Sequence, residues 1–595
     1  MTETICHKLI ERRQKHPNKA CVKFVKNERW TEITWKDYVD QIEQIAAGLA
    51  QKGIKDGDRV AIYANTRVEW AMTDMAVLSL GAITVPIYPS SIPEDVEFIL
   101  NNSETKILFC ENRQIFERWL LVKNKCPNVQ HVVSFESIQS KESNPISIME
   151  LKREGAQYLT GKEGFLQHNA TKLKIDDLAS IVYTSGTTGQ PKGVILTHKN
   201  IMSEVKDVFN HVGVTDVDLS LTFLPFAHIL ARVEHFGHTY MGFTMGYAEN
   251  IDRIRANLID VKPTFMVAVP RIFEKIYNSM VTQAEASPTK KKIFYWALGI
   301  GKEVSQYRIQ KKSAPFTTLL QYQVAKKLVF DKLAAKMGGR LRFAISGGAP
   351  LSKDIAEFFH AANLLIIEGY GLTETTAAVF ANTETEFKFG SVGFPIGDVK
   401  YKLANDGEIL VKSDKITPGY YKNEEATKDV FVDGWFATGD IGEMDARGFL
   451  TITDRKKDLI KTAGGKYVAP QKLENLLKLS KYVSNVLIHG DQKKYIVALI
   501  TLNYENIESF AKANNISYSD KTQLASNKQV MALIRDVIAD VNSKLGSYES
   551  IKNFAILPND FTVEEGEITP SLKVKRKYCD KKYKDTIDKL YGTEA

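Results

Sequence analysis

The chain has 595 residues, 44% of them apolar and 25% charged, enough for large cores and for roughly three to five domains. Its formal net charge of +8 is modest for this length and gives no reason to expect a nucleic-acid partner. Five cysteines (Cys6, Cys21, Cys110, Cys126, Cys579), with no C-x-x-C or paired-histidine spacing, argue against a disulfide framework or a zinc site and fit a reducing cytoplasm.

Met1 to Lys15 holds no apolar core of a signal peptide. The most apolar stretch, Met75 to Pro89, is too short to span a bilayer and contains Gly81 and Pro86. The expectation is a cytoplasmic protein, monomer or homodimer, soluble or peripheral on the inner face of a membrane.

Residues 1–60 carry helical periodicity, clearest from Trp35 to Lys52, where Ile42, Ile45, Ala46 and Leu49 share a face. Val60 to Tyr63 reads as a strand, Trp70 to Leu80 as a buried helix and Ile83 to Ile87 as a buried strand. Ile92 to Asn101 is a helix and Ile107 to Phe109 a strand. This alternation predicts a doubly wound α/β sheet. A second βαβ series follows: a helix with Ile201, Val205, Val208, Phe209 and Val212, then strands Leu221 to Pro225, Thr264 to Val269, Arg342 to Ser346 and Leu364 to Ile367. Helices at Ile254 to Asp260 and Ile355 to His360 interleave with them.

From Gly390 to Thr453 helices vanish, and short β runs between Gly, Pro and Asp turns predict a small barrel or curved sheet. The polar segment Thr453 to Asp458 is the linker candidate. Beyond it lie a helix from Val468 to Leu479 with Pro470 in its first turn, strands Val483 to Ile488 and Tyr495 to Leu502, and helices near Val530 to Leu545 and Val574 to Leu590. The expected fold is therefore α/β: a large domain of two doubly wound subdomains plus a small β-barrel, then a smaller α+β domain.

The chemistry-bearing stretch is Ile181 to Leu196, I-V-Y-T-S-G-T-T-G-Q-P-K-G-V-I-L. Glycines let backbone approach a ligand, and the hydroxyls and Lys192 suit phosphate oxygens. Apolar β-formers on both sides predict strand–loop–strand, and the Walker A pattern does not fit. Three further glycine-bearing segments are read as loops leaving strands: Ser346–Pro350, Glu368–Glu374 and Thr438–Asp440. Together they suggest a nucleotide pocket at the carboxyl ends of strands. Tyr370 between two glycines can stack on a base, Asp440 can accept from ribose hydroxyls, and Glu374 is a hard oxygen ligand for Mg²⁺. Taken singly, Tyr370 also reads as a core aromatic, and the two acids as solvated turn residues. Lys573, in the basic run Ser571 to Lys577, reads either as a solvated helix start or as a cation presented to phosphates by domain closure.

Y-T-S-G-T-T-G-Q-P-K-G, E-G-Y-G-L-T-E-T, T-G-D and D-R-K-K-D-L-I-K-T-A-G-G-K, in this order, resemble the adenylate-forming superfamily of acyl-CoA synthetases, luciferases and non-ribosomal peptide adenylation domains. L-P-F-A-H (224–228), V-P-R-I-F-E-K-I-Y (269–277) and T-P-S-L-K-V-K-R are most similar to the long-chain fatty acyl-CoA synthetases. The resemblance runs from about Trp35 to Lys577. It implies ATP, Mg²⁺ and coenzyme A as co-reactants of a fatty acid.

It also implies residue roles. Thr184, Ser185, Gly186, Thr187, Thr188, Gly189 and Lys192 would hold the β- and γ-phosphates, with Thr188 a second Mg²⁺ candidate beside Glu374. Gly347, Gly348, Ala349, Glu368, Gly369, Tyr370 and Gly371 would frame the adenine. Thr373 would touch the α-phosphate, Asp440 and Arg455 the ribose. Lys573 would stabilise the adenylation transition state. The domains would be 1–454, a hinge at 455–458 with Lys457 as pivot, and a mobile 459–595. Gly464, Gly465 and Lys466 would serve coenzyme A. His228, Gly242 and Gly246 would belong to the acyl site. The rivals are a medium-chain or aromatic acid–CoA ligase, an acyl-AMP ligase loading a carrier protein, and a protein of this fold that binds acyl or nucleotide groups without turnover. Finally, Lys290 to Lys336 mixes lysines with aromatic and aliphatic residues. Such a stretch can lie on an anionic membrane or simply cover the domain as a helical hairpin.

Overall fold

A computed structural model describes residues 3–140, 143–184, 190–569 and 573–592. Ser185, Gly186, Thr187, Thr188 and Gly189 lie outside the described residues.

Two large sheets build the first part of the chain. One has seven strands in the order Ile146–Ser147, His131–Ser134, Ile107–Cys110, Arg59–Tyr63, Ile83–Ile87, Leu178–Thr184, Lys192–Thr197. Its neighbours are parallel except the last pair, which is the strand–loop–strand expected at the glycine-rich stretch. The helix Val68–Ser79 is buried at every position but Glu69, because it lies between this sheet and the next layer.

The other sheet has nine strands. Its centre is the parallel series Leu365–Leu372, Phe343–Ser346, Phe265–Ala268, Leu219–Thr222 and Thr244–Tyr247. Its far edge corrects the helical reading of residues 1–60: Ala20–Lys26 and Arg29–Thr34 form a hairpin, and the first of them runs parallel to Thr244–Tyr247. The hairpin turns on Asn27 and Glu28 at φ 50° and 62°. That is the two-residue geometry usually signalled by Asn-Gly, and glutamate in the second place hides it.

Residues 400–455 form a five-stranded antiparallel sheet in which Trp435–Met444 serves three neighbours. The hydrogen-bond ladder does not close on itself, so the expected barrel is a curved sheet. A short helix, Glu424–Val430, also interrupts a stretch read as helix-free. Asn423 caps it by accepting from the Ala426 N–H at 3.0 Å, and two glutamates occupy its first turn.

The last part packs Val483–His489, Ile496–Leu502 and Ile551–Leu557 into one sheet. The third strand was not expected, nor was the division of the terminal helix into Arg576–Lys582 and Lys584–Gly592. Buried apolar clusters fall either before residue 451 or after residue 459; half-buried Leu479 alone reaches across to the large core. Besides Leu479, polar contacts cross this division, such as Lys481 Nζ to Glu285 at 2.7 Å and Arg271 to Ser484 Oγ at 3.1 Å.

The two large sheets are tied together by Arg232 on the helix Ile229–Met241. Its guanidinium meets Asp74 of the helix Val68–Ser79 through Nε (3.1 Å) and Nη2 (2.5 Å), and donates from Nη1 to Ser180 Oγ. Ser180 in turn donates to the Thr84 carbonyl at 2.7 Å. Arg232 and Asp74 are both fully buried. Burial pushes the Asp74 carboxyl up, but Arg232 and His235 outweigh it and hold it at about 2. Asp74→Ala is expected to destabilise the large domain by about 3–5 kcal/mol, because it strands a buried charge. The depressed pKa means this stabilisation is complete above the ordinary carboxylate range near ~4 and is lost as pH falls through about 2. Urea midpoints of wild type and variant, compared from pH 7 down to pH 3, check both statements; equal midpoints at pH 7 would refute them.

Candidate active site

A cavity of about 540 Å³ opens where strand ends of both large sheets meet the curved sheet and the C-terminal part. Thr184 and Lys192 reach it from the glycine-rich hairpin, Gly347 and Gly348 from the end of Phe343–Ser346. Gly369 to Glu374, Thr438, Gly439, Arg455, Lys457 and Lys573 complete the polar wall. Thr184 and Lys573, far apart in sequence, thus share one pocket.

Two of the four supposed loops are strands. Glu368 to Leu372 continues the strand Leu365–Leu372, which changes partners in mid-course: parallel to Phe343–Ser346 as far as Glu368, antiparallel to Ala377–Ala381 from Gly369 onward. The register shifts between Tyr370 and Gly371, and a Cβ at Gly371 would collide with the Ala377 carbonyl. Thr438 to Asp440 likewise lies within Trp435–Met444. Glycine-rich segments are punctuation in most sequences; here the glycines admit close backbone approach within a sheet.

The turn after this strand is strained. Thr376 and Ala377 have φ 57° and 93°, unusual for residues with a Cβ. Thr375 Oγ1 holds it, accepting from the Leu372 N–H (2.8 Å) and donating to the Ala377 carbonyl (2.7 Å). The turn presents Thr373 and Glu374 to the cavity. The Tyr420 hydroxyl donates to Glu374 Oε1 at 2.8 Å, and Lys192 Nζ stands 5.1 Å over the Tyr420 ring. Lysine, tyrosine and glutamate therefore form one cluster at the hairpin end. No group of three acids, histidines or cysteines gathers among the described residues. A lone carboxylate fits Mg²⁺, which takes most of its ligands from phosphate oxygens and water.

Asp440 stands behind the wall, not in it. Its Oδ2 accepts from the Tyr370 hydroxyl at 2.7 Å and its Oδ1 pairs with Arg455 Nε at 3.1 Å. It is 3% exposed. Its observed work is to pin the Tyr370 ring and the Arg455 fork, both of which do line the cavity. Ala349 and Glu368 are also outside the lining. Glu368 turns to the Gly390 N–H at 3.4 Å, and burial pushes its carboxyl up to about 8, against the backbone N–H groups of Gly390 and Leu351.

Lys573 comes from the C-terminal part and meets solvent at the cavity, with groups of both parts crowding it. Its backbone pairs with Thr569 in both directions (2.8 and 3.0 Å). Burial and then the Arg455 charge lower its pKa to about 8, with Asp440 and Glu374 opposing. It stays mostly protonated at neutrality. His228 caps the helix Ile229–Met241: its Nδ1 accepts from the Leu230 N–H at 3.2 Å. Burial, followed by the Lys573 charge, lowers it to about 4. The ring is therefore neutral with its proton on Nε2, a donor inside the cavity.

Beyond His228 the cavity has an apolar arm walled by Val208, Phe209 and Val212, by Leu230 and Val233, by Val267 and Ile345, and by Ala377 and Ala381. Gly242 and Gly246, expected here, are elsewhere. Gly242 ends the helix Ile229–Met241 at φ 81° against the Arg12 guanidinium, and Gly246 faces Val261 from the strand Thr244–Tyr247. The i, i+3 spacing of Leu230 and Val233 was a usable signal for the arm. Which face of the helix met a cavity was not legible.

Gly464, Gly465 and Lys466 make the exposed turn between Ile460–Lys461 and Tyr467–Val468, closed by the Gly465 N–H on the Thr462 carbonyl at 2.8 Å. They do not line the cavity.

Residues 9–421 match the family described as AMP-binding enzyme, and residues 457–595 match the AMP-binding enzyme C-terminal domain. The long-chain-fatty-acid–CoA ligase FadD15 of Mycobacterium bovis is 38% identical over 569 residues, covering 95% of this chain and 93% of that protein. The peroxisomal long chain acyl-CoA synthetase 7 of Arabidopsis thaliana is 31% identical over 596 residues, covering 95% of this chain and 82% of that protein. Among solved structures, the anthranilate CoA ligase AuaEII in complex with anthranoyl-AMP has a TM-score of 0.74 at 19% identity, covering 99% of this chain and 98% of that one. A Mycobacterium tuberculosis fatty acyl CoA synthetase has a TM-score of 0.63 at 22% identity, covering 98% of this chain and 99% of that one. The structural likenesses speak for the fold, and the family matches cover most of the chain: it belongs to the AMP-binding, adenylate-forming enzymes.

Proposed function

We propose that the chain is an ATP- and Mg²⁺-dependent long-chain fatty acid–CoA ligase. The observation that carries this reading is one cavity with a polar, nucleotide-sized wall leading past a neutral histidine into an apolar arm. The family relatives named for long-chain acids support the substrate class.

In the first half-reaction the fatty carboxylate attacks the α-phosphorus of ATP and pyrophosphate leaves. Gly347, Gly348, Gly369 and Tyr370 take the adenine, and Arg455, held by Asp440, the ribose. Thr184 and Lys192 take the phosphate end, together with Ser185, Gly186, Thr187, Thr188 and Gly189 as the resemblance implies. Thr373 meets the α-phosphate; Glu374 would hold Mg²⁺, which would supply charge neutralisation to the phosphates. Lys573 stabilises the charge that builds as the bond to pyrophosphate breaks. The Nε2–H of His228 orients the carboxylate at the mouth of the arm. In the second half-reaction the coenzyme A thiol attacks the acyl carbon and AMP leaves.

Lys573 in the cavity with Gly464, Gly465 and Lys466 outside it suits only the first step. Separate apolar cores and polar contacts between residues 1–454 and 459–595 support their reorientation about 455–458, with Lys457 as pivot. Lys573→Ala is expected to slow adenylation about 10²–10³-fold while sparing thioester formation from supplied acyl-adenylate. Lys457→Pro should show the opposite preference. Single-turnover assays of each half-reaction decide; equal losses in both steps would remove the assignment.

The acid class is tested by AMP release, with and without coenzyme A, across six-carbon to eighteen-carbon and aromatic acids. Long-chain acids with coenzyme A are expected to give the highest kcat/KM. A preference for short or aromatic acids would overturn the reading, and turnover only with a carrier protein would move it to acyl transfer.

A second reading concerns Lys290 to Lys336. Phe294 and Tyr322 are buried, so the segment does cover the domain. Yet Tyr295, Trp296, Phe316, Leu319, Leu320 and Val324 are exposed, Phe316 at 74% and Leu320 at 53%, beside exposed Lys311, Lys312, Lys326 and Lys327. An exposed apolar patch rimmed by lysines suits an anionic lipid surface, where the fatty substrate also partitions. Among the described residues no helix is long and apolar enough to cross a membrane. The protein is expected to float with vesicles containing anionic lipid, and Phe316→Ser with Leu320→Ser to lose most of that binding; equal flotation of both would count against this face.

A further inference from the structure

The apolar arm contains two carboxylates, and they are treated differently. Glu204 is paired: the Ala378 N–H donates to it at 2.7 Å and Lys415 Nζ lies 3.5 Å away. Glu234 also lines the cavity and is 1% exposed, yet neither of its carboxylate oxygens has a hydrogen-bond partner among the described residues. Such a group carries the full penalty of desolvation.

Its surroundings are polar as well. Glu234 projects from Ile229–Met241 toward the strand Leu219–Thr222, whose Ser220 and Thr222 share one face. Both hydroxyls are fully buried and without partners, and so is the hydroxyl of Tyr247, which stands opposite Thr222 across the ladder. Burial pushes the Glu234 carboxyl up to about 7, opposed by hydrogen bonding from the nearby Ser220 and Thr222 hydroxyls, which lie close to it but outside strict hydrogen-bond geometry. Near neutrality it is thus divided between an acid, which can donate and accept, and a carboxylate, which accepts. Leu230, Val233 and Glu234 form one stripe of the helix, so the polar point follows directly on the apolar wall.

We propose that the acyl arm is built for a long-chain acid carrying a hydroxyl part-way along its chain, with Glu234 as the residue that receives that hydroxyl. This rests on the long-chain reading above and narrows it. His228 and Glu234 are separated by six residues, a rise of roughly 9 Å along the helix, which places the contact at mid-chain when the reacting carboxylate sits at His228. An unsubstituted chain leaves the buried carboxyl unpaired, and a hydroxylated one satisfies it, so the site discriminates by what it leaves unpaired. Glu204 differs in that the Ala378 N–H occupies one of its oxygens and Lys415 neutralises its charge from 3.5 Å, which leaves it a weaker receiver for a hydroxyl.

The test is kcat/KM for a mid-chain hydroxylated eighteen-carbon acid against the unsubstituted acid, measured as coenzyme A-dependent AMP formation. Wild type is expected to favour the hydroxylated acid by about tenfold or more. Glu234→Leu should reduce that ratio at least tenfold, while Glu234→Gln, which still donates and accepts, retains most of it. Thermal unfolding of each variant separates loss of selectivity from loss of fold. A wild-type ratio at or below one, or a ratio that Glu234→Leu leaves unmoved, means ordered water or protein alone satisfies Glu234 and overturns the proposal. If Glu234→Leu does not fold, the wild-type ratio and the glutamine variant still decide. Absence of activity on every long-chain acid would instead remove the underlying reading.

Discussion

Arg232 is a permanent positive charge placed where there is no water, and the large domain is arranged around keeping it satisfied. Asp74 supplies the counter-charge from the first sheet's helix, Ser180 the third acceptor from the first sheet itself, and the rings of Trp70 and Phe236 lie within 5.6 and 5.2 Å of the guanidinium. Every one of these partners except Phe236 comes from the opposite subdomain. Fork geometry fixes direction as well as distance. The helix Ile229–Met241 is therefore held in one orientation, with Arg232 and His235 turned to the junction and His228, Leu230, Val233 and Glu234 turned to the cavity. The interaction that joins the subdomains also aims His228 and the apolar wall at the cavity.

The rest of the site relies on backbone in sparsely populated conformations. The strand Leu365–Leu372 changes partners at Gly369, and the turn behind it holds Thr376 and Ala377 at positive φ. The polar side chains there are not spare ligands. Tyr370, Asp440 and Arg455 are bound to one another, and Glu374 to Tyr420. Preorganised groups of this kind meet developing charge without first having to move. Lys573 is the exception, since it belongs to a part of the chain with its own cores and mostly polar contacts with the large domain.

Much was legible in the sequence because its signals are local. Alternating apolar runs and amphipathic spacings located most parallel strands of both sheets, though not His131–Ser134, Ile146–Ser147 or Thr244–Tyr247. The strand–loop–strand at Ile181 to Leu196 followed from β-formers on both sides of a glycine-rich centre, and Pro470 marked a helix start. The failures share a cause. The hairpin Ala20–Lys26 with Arg29–Thr34 and the strand Ile551–Leu557 are completed by partners some 220 and 50 residues away, so their pairing energy is invisible locally. Gly242 and Gly246 were assigned to the acyl arm by position in a promising stretch, while burial geometry turned one to Arg12 and the other to Val261.

By itself, then, the sequence determined which residue types could meet phosphate, base and metal, and most of the central strands, because hydroxyls, charges and apolar periodicity act over a few residues. Only the tertiary structure decided which of them face the cavity. It put Asp440 behind Tyr370 and Arg455, turned Glu368 toward Gly390, brought Lys573 within reach of residues some 200 positions earlier, and left Glu234 unpaired in an apolar wall. Orientation and pairing are set by long-range packing and by the cost of burying a polar group alone, and neither quantity exists until the chain has closed on itself.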